Sequence, residues 1–507
     1  MVLQKNKYYN AKKLSIKNSI ISILKESECM KPSILLVNPY IHDFTAHDLW
    51  MKPLGIYWLA SYLQQKGYDI SLIDCVDRYQ PLWLQSQGIK KPKSKSNGTG
   101  PIPFEIIEKP KLYAPILRRY RRYGIPIEIF KTLLSQIPSP CAILVTSMMT
   151  YWYPGVFETI QILKEVFPKT PVALGGVYAT LCSEHARKYS QADRVFEGPG
   201  EIQALKWLSE ITGIEQKMPD KGAVPIEELP MPMHQLLFPG SIGVVATSLG
   251  CPLHCTYCAS KQLQPHFRQR PLDKVLQEIL YLVHKKHVKN IAFYDDALLV
   301  NAEKHILPLL EQIGEHSLQT RFHTPNGIHS RLMTPALAKA FDKAHVETIR
   351  FSYERSPVFS PYDTPKIEDK DIAMALECFR QADPDKKRKI EVYVKVGLPG
   401  QTMEEVIEGF LYVHKVGGYI KFTDYSPVPG TPDFSKTMQK YGLDEKEPLY
   451  QNNTTLPYFM GQDEKEEVHP FKALVNVLNY ALEQEINLFQ NPALSSLFWN
   501  AANKLKK

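Results

Sequence analysis

Three cysteines carry the clearest chemistry in the chain: Cys251, Cys255 and Cys258, in the run Cys-Pro-Leu-His-Cys-Thr-Tyr-Cys. Thiolates are soft ligands that suit iron–sulfur clusters and zinc. Three of them on a short loop after Gly250 reach three corners of one cubane. A [4Fe–4S] cluster takes four ligands, so one iron would stay open. Two other readings stand beside this one. A closed zinc site also takes four ligands, and His254 or His266 could supply the fourth. Or the three are buried thiols without a function. Cys29, Cys75, Cys141, Cys182 and Cys378 are scattered and read as ordinary small apolar side chains.

The loop must be carried by the strands and helices around it. Strands are read at residues 243–247, 290–295, 321–324, 348–353, 389–396 and 419–425, with helices such as 273–287 and 336–344 between them. Six strand–helix repeats predict a partial (β/α)6 barrel, with its chemistry at the carboxyl ends of the strands. Those ends hold Tyr294-Asp295-Asp296, Phe351-Ser352-Tyr353-Glu354, Gly397-Leu398-Pro399-Gly400-Gln401 and the run from Ser426 to Pro432. Each group also has a plainer reading. Asp295 and Asp296 could cap a helix, Glu354 could pair with a surface arginine, and Gly397 and Gly400 could make a turn. His323 and His329 read equally as an acid or base and as packing residues.

A first strand–helix series precedes this one. Its strands are read at residues 33–38, 68–73, 142–146, 172–174 and 194–196, and its helices at 53–66, 155–167 and 178–188. Five such strands predict a doubly wound, flavodoxin-like sheet with a ligand beyond the carboxyl ends. Asn38-Pro39, Thr146-Ser147-Met148, Gly175-Gly176 and Glu197-Gly198 stand there. The whole is an α/β protein. Its expected organisation is a tail over 1–30, a Rossmann-like domain over 31–211 with an insertion at 76–135, a linker over 212–238, the barrel over 239–435 and a mostly helical region over 436–507. Met30 directly precedes the first strand and is a candidate second start.

Composition narrows the class. At roughly 100–200 residues per domain, 507 residues suggest two to four domains. A hydrophobic fraction of 44% with 22% charged residues is ordinary for a globular enzyme and excludes collagen and disorder along the whole length. Eight cysteines are too few for a disulfide framework and fit a reducing, cytoplasmic setting. The net charge of +8 is local. Ten basic residues between Lys90 and Arg122 face only Glu105 and Glu108, which equals the whole surplus. A local anion-facing or solvated insertion is therefore expected, with Lys90–Gly100 a mobile loop and Tyr113, Tyr120 and Tyr123 packed inward from a solvated helix. Nucleic acid is not an expected partner. The longest uncharged run, residues 229–260, is broken by proline and glycine, so no transmembrane helix is predicted.

Cys251, Cys255 and Cys258, with the aromatic Tyr257 before the last, resemble the radical S-adenosylmethionine (SAM) superfamily. The resemblance spans residues 240–435. It implies that the three cysteines hold a [4Fe–4S] cluster whose open iron chelates SAM. Tyr257, Tyr294, Asp295, Asp296, Glu354, Gly397, Pro399 and Ser426 then fall at SAM-contacting positions. The common Gly-Gly-Glu form of the amino-group contact is absent.

Residues 31–211 resemble the cobalamin-binding domain that precedes many radical SAM enzymes. Asn38, Pro39, Thr146, Ser147, Met148, Gly175, Gly176, Glu197 and Gly198 would meet the cobalamin, the glycines because a flat corrin needs close backbone. The Asp-x-His-x-x-Gly motif that supplies a lower histidine ligand in some cobalamin proteins is missing: none of His42, His47 or His185 has aspartate two positions before it. Together these resemblances imply a C-methyltransferase acting on an unactivated carbon. Methylcobalamin forms from one SAM, a second yields the 5′-deoxyadenosyl radical, and the substrate radical takes the methyl group. A small-molecule, natural-product or lipid-like substrate and an electron donor such as flavodoxin or ferredoxin are implied with it. Other reactions of the same scaffold (ring rearrangement, cyclisation, methylthio transfer) and a non-catalytic zinc-bound anion-binding module are the alternatives.

Overall fold

A computed structural model describes residues 31–219, 224–354, 367–382, 384, 388–460 and 470–505. The expectations for the tail, Met30 and Cys29 lie outside the described residues.

The first sheet contains β1 (Ser33–Asn38), β2 (Asp69–Asp74), β3 (Ala142–Val145), β4 (Val172–Leu174) and β5 (Arg194–Val195). Its order is β5-β4-β3-β1-β2, with every pairing parallel. The helices of this half are α1 (Leu54–Gln65), α2 (Ile127–Ser135), α3 (Tyr153–Val166), α4 (Val177–Leu181), α5 (Ser183–Tyr189) and α6 (Glu201–Thr212). The unbroken apolar run Ile34–Val37 forms a central strand because both faces are covered. Successive side chains alternate between faces. Ile34 and Leu36 pack with α1 and α6, whereas Leu35 and Val37 pack with α2 and α3. The strand order reverses at β1, which places a ligand crevice beyond the ends of β1 and β3.

The second sheet runs in sequence order through β6 (Gly243–Val245), β7 (Asn290–Phe293), β8 (Arg321–His323), β9 (Val346–Tyr353), β10 (Ile390–Val396) and β11 (Tyr419–Asp424), all parallel. Helices α7 (Ser260–Leu263), α8 (Leu272–His284), α9 (Ile306–Glu315), α10 (Pro335–Lys343), α11 (Asp369–Ala382) and α12 (Met403–Lys415) alternate with them. Among the described residues β6 and β11 are not hydrogen-bonded to each other, which is the partial form of a barrel. Four further helices, α13 (Pro432–Tyr441), α14 (Leu456–Phe459), α15 (Pro470–Glu483) and α16 (Pro492–Leu505), follow among the described residues.

Several expectations need correction. The helix read over 178–188 is two, because Cys182 leaves helical geometry at φ −126° and ψ 44°. In the region expected to be mostly helical, the helix from Pro470 stops at Glu483, before Glu485 at φ 56°. Lys90–Gly100 is not a mobile loop but is bonded to buried side chains. The buried Arg78 donates to the carbonyls of Lys93 (2.8 Å) and Gly98 (2.5 Å), and Trp50 Nε1 donates to that of Asn97 (2.8 Å). The basic segment is no solvated helix. Its Arg121–Tyr123 strand pairs antiparallel with Ile41–Asp43 and Phe104–Ile106. Tyr113, Tyr120 and Tyr123 do pack inward. Arg122 is buried between Glu105 and Glu158, so its charge is spent inside the fold. In the stretch read as a linker, Val224, Ile226, Leu229, Met233 and Leu237 join the main core. His234 is fully buried there, with Nε2 2.8 Å from Glu278 Oε1. Cys141 is exposed rather than apolar core.

Candidate functional site

The cysteine loop leaves β6 and is closed at its neck by a short antiparallel pair, Ser248–Leu249 with Arg268–Gln269. Gly250 sits in the neck at φ +78°, and a Cβ there would stand 2.8 Å from the His266 carbonyl. Only glycine satisfies both conditions without strain. Cys251 and Cys255 are half-buried and Cys258 is exposed. Burial, and then the negative neighbours Cys255, Asp296 and Cys258, push the Cys251 thiol up to about 11. Cys258 Sγ is 3.2 Å from Ser260 Oγ at the start of α7. Among the described residues no three histidine, cysteine, aspartate or glutamate side chains are drawn together as a finished metal cage. His254 is turned onto Lys261 Nζ.

Strand ends converge on this loop. Thr256 Oγ1 donates to Asp433 Oδ2 beyond β11 (2.8 Å). Tyr257 Oη donates to Glu354 Oε1 at the end of β9 (2.7 Å), and Lys395 Nζ from β10 stands 4.5 Å over the Tyr257 ring. Asp295 and Asp296 part company. Asp295 is buried and accepts from Thr247 N (3.0 Å), Thr247 Oγ1 (2.7 Å) and Ser248 Oγ (2.6 Å), so it anchors the start of the loop. Asp296 lies open beside Ser260; crowding and then Asp295 raise its carboxyl above the usual range, against the hydrogen bond from Ser260. Gly397 takes φ +84°, and its N–H donates to Gln401 Oε1 (2.9 Å). Pro399 lies in the same turn, and Ser426 Oγ donates to the Gln451 carbonyl (2.5 Å).

A second feature lies at the ends of β3, β4 and β5. A cavity of about 370 Å³ is lined there by Thr146, Ser147, Met148, Gly175, Gly176 and Gly198. Asn38, Pro39 and Glu197 are not on its wall. Asn38 Nδ2 donates to Asp74 Oδ1 (2.7 Å), and Glu197 pairs with Arg187. The wall also holds Lys52, Gly55, Gly200 and Glu201, and from the second strand–helix series Leu263, Gln264 and Tyr294. Lys52, Leu263 and Gln264 carry no motif of their own; only their nearness to Pro53 and Gly55 and to the cysteine loop could have pointed to them.

A corrin, a cluster and SAM each make demands on these residues. An ideal Cβ on Gly55, Gly198 or Gly200 would meet nothing within 4 Å, so the wall is open where a large flat ligand needs room. Gly176, at φ +93°, has Ser147 O at 2.3 Å from such a Cβ, so its backbone lies flat on the β3 end. The wall fits a corrin. Three thiols on one short loop, with the carboxylates of Asp296 and Glu354 close to that loop, fit a cluster holding SAM. Tyr294 ties the two places together: its hydroxyl donates to the Trp50 carbonyl and accepts from Lys52 N (3.1 Å).

Residues 245–413 match the radical SAM superfamily model. An uncharacterized methyltransferase of Pyrococcus horikoshii is 24% identical over 60% of this chain and 70% of its own. The cytidylyl-2-hydroxyethylphosphonate methyltransferase of Streptomyces wedmorensis is 21% identical over 82% and 84%. The radical SAM methyltransferase TsrM of Kitasatospora setae, solved with cobalamin and a [4Fe–4S] cluster, superposes with a TM-score of 0.59 over 94% of this chain and 100% of that one. At 14% identity that is a likeness of fold. No described helix is long and apolar enough to cross a membrane. With its cysteine loop, its strand ends and the matched segment in agreement, residues 245–413 form a radical SAM domain.

Proposed function

We propose that this chain is a cobalamin-dependent radical SAM methyltransferase acting on an unactivated carbon of a small molecule. One observation carries the reading. The helix that follows Cys258 ends at Leu263, and Leu263 and the next residue, Gln264, form part of the wall of the glycine-lined cavity. A cluster held by the loop and a corrin held by the strand ends would then share one cleft.

When bound, the cofactors supply the reductive cleavage of SAM and the transferable methyl group. The chain's own residues hold and orient. In this reading Cys251, Cys255 and Cys258 ligate the cluster. Tyr257 and Lys395 set Glu354 toward the SAM side, and Asp295 fixes the loop while Asp296 faces it. Gly397, Pro399 and Ser426 shape the far strand ends. Thr146–Met148, Gly175, Gly176 and Gly198 hold the corrin face, with Asn38, Pro39 and Glu197 acting from behind it. Two methyltransferase relatives and the TsrM fold support the reaction class. TsrM has also been solved with tryptophan and an aza-SAM analogue, which supports a small-molecule substrate. We place the protein in the reducing cytoplasm, because eight cysteines with three on one loop fit such a compartment, and give it a flavodoxin- or ferredoxin-type donor, because cleaving SAM at the cluster needs an electron.

The test is anaerobic incubation of the reconstituted protein with SAM, hydroxocobalamin, reductant and host-cell extract. The expected result is 5′-deoxyadenosine together with a product heavier by about 14 mass units, one methylene. Deoxyadenosine without a methylated product would overturn methyl transfer in favour of rearrangement, cyclisation or methylthio transfer.

A further inference from the structure

A separate cleft of about 1080 Å³ lies on the other side of α4. Val177 and Thr180 of that helix line the glycine cavity, whereas Leu181 lines this cleft. Its wall is aromatic. The rings of Phe157 and His185 are nearly parallel, 6.1 Å apart at 11°, with Tyr153 4.7 Å and Tyr189 4.8 Å from His185. His185 is fixed by a 2.6 Å hydrogen bond between Nδ1 and Tyr178 Oη. Its rim is acidic: Glu184, Asp444, Glu445 and Glu447 face Lys188 and Lys446. Lys188 Nζ already sits over the Tyr189 ring at 4.9 Å. Glu447 reaches the aromatic wall, with Oε1 3.3 Å from Tyr153 Oη and 2.9 Å from Leu449 N.

We propose that this cleft binds a small aromatic ammonium compound, its ring against Phe157, His185 and Tyr153 and its amine toward Glu447. Flat rings pack face or edge on such walls, and a cation is attracted both by ring faces and by carboxylates. Burial, then Lys188, hold the His185 imidazole down to about 4, so it brings no opposing charge at neutral pH. The site needs no cofactor, so it stands or falls apart from the methyl-transfer reading. It also adds a ligand next to the helix that separates it from the corrin wall.

The test is titration calorimetry of the full-length protein at neutral pH with phenethylamine, and with 3-phenylpropionate and n-butylamine as the charge-reversed and ring-less probes. Phenethylamine is expected to saturate with a Kd near 1 mM, about what so small a ligand attains. Each control probe should bind at least about tenfold more weakly. Glu447→Gln keeps an oxygen for Leu449 N–H but removes the charge, and should weaken phenethylamine about tenfold. Phe157→Leu keeps an apolar side chain and should also weaken it. No saturation below about 10 mM, equal binding of 3-phenylpropionate, or an unchanged affinity in Glu447→Gln would overturn the site.

Discussion

The indole of Trp50 stacks on the imidazole of His323, with centroids 4.7 Å apart and planes at 25°. Trp50 comes from the segment before α1, whereas His323 ends β8, so the first unit places its largest side chain against the second sheet. Trp50 is fully buried, holds φ at +63°, and packs with Val244 and Ala292 from β6 and β7. The Arg350 guanidinium lies 5.5 Å over its ring. Its carbonyl takes the Tyr294 hydroxyl, so the same residue braces the strand end that joins the cysteine loop to the glycine cavity.

Removing this ring should loosen the two units together. Trp50→Ala is expected to cost about 3–5 kcal/mol, the range for emptying a large buried aromatic site. It also frees the Asn97 carbonyl. A urea midpoint at constant slope is the readout, and a loss under about 1 kcal/mol would mean that the plug is not what holds the interface.

His323 makes stability depend on acid. Its Nε2 lies 3.0 Å from Asn290 Oδ1 and its Nδ1 2.9 Å from Thr348 Oγ1, an arrangement that the neutral ring satisfies as one donor and one acceptor. Burial, then Arg321 and Arg350, push its pKa down to about 3. The unfolded chain, near its ordinary value of about 6.5, therefore binds a proton that the folded chain refuses. This contribution is fully present above that value and is lost as pH falls toward the folded one, amounting to roughly 2 kcal/mol by pH 5. The slope of stability between pH 7 and 5 should be shallower in His323→Gln. Equal slopes would show that the ring protonates in place.

Both sheets were legible because parallel strands buried on two faces spell continuous apolar runs, as in Ile34–Val37. The place of the loop, just after the first strand of the second series, was legible in its three cysteines and Gly250. What could not be read was direction. Asp295 and Asp296 are adjacent, yet one turns in to Thr247 and Ser248 while the other stays open toward Ser260. Composition alone cannot choose between them. Long-range pairing was equally hidden. Ile41 lies opposite Tyr123, so the basic run looked like a solvated helix until its partner strands were in place. Arg78 shows the same limit, since a charged residue at the head of an insertion gives no sign that it is a buried hub.

The glycine wall gives a test in which fold and function separate. Gly55 is in the first turn of α1, and its Cβ position is open. Gly55→Leu should stabilise the helix by up to about 1 kcal/mol, since leucine is the better helix former. The new side chain would stand at the cavity wall. The expected outcome is an unchanged or higher Tm with at least about tenfold less cobalamin retained on gel filtration. Full retention would remove the cavity from the corrin reading.

The cysteine triad calls for a variant that changes the metal and leaves the fold alone. Cys255 is half-buried, and its loop is also tied down at places away from its sulfur: Thr256 to Asp433 and the Gly250 neck. Cys255→Ala should therefore change stability of the metal-free protein by no more than about 1 kcal/mol. After anaerobic reconstitution the native chain should hold about four iron and four sulfide with a brown colour. The variant should lose most of both, along with SAM cleavage. Cys141→Ala, at an exposed cysteine outside the loop, should lose neither. About one zinc per chain, colourless and inert toward SAM, would mean a closed structural site instead. Iron retained in Cys255→Ala would mean that the ligands lie elsewhere.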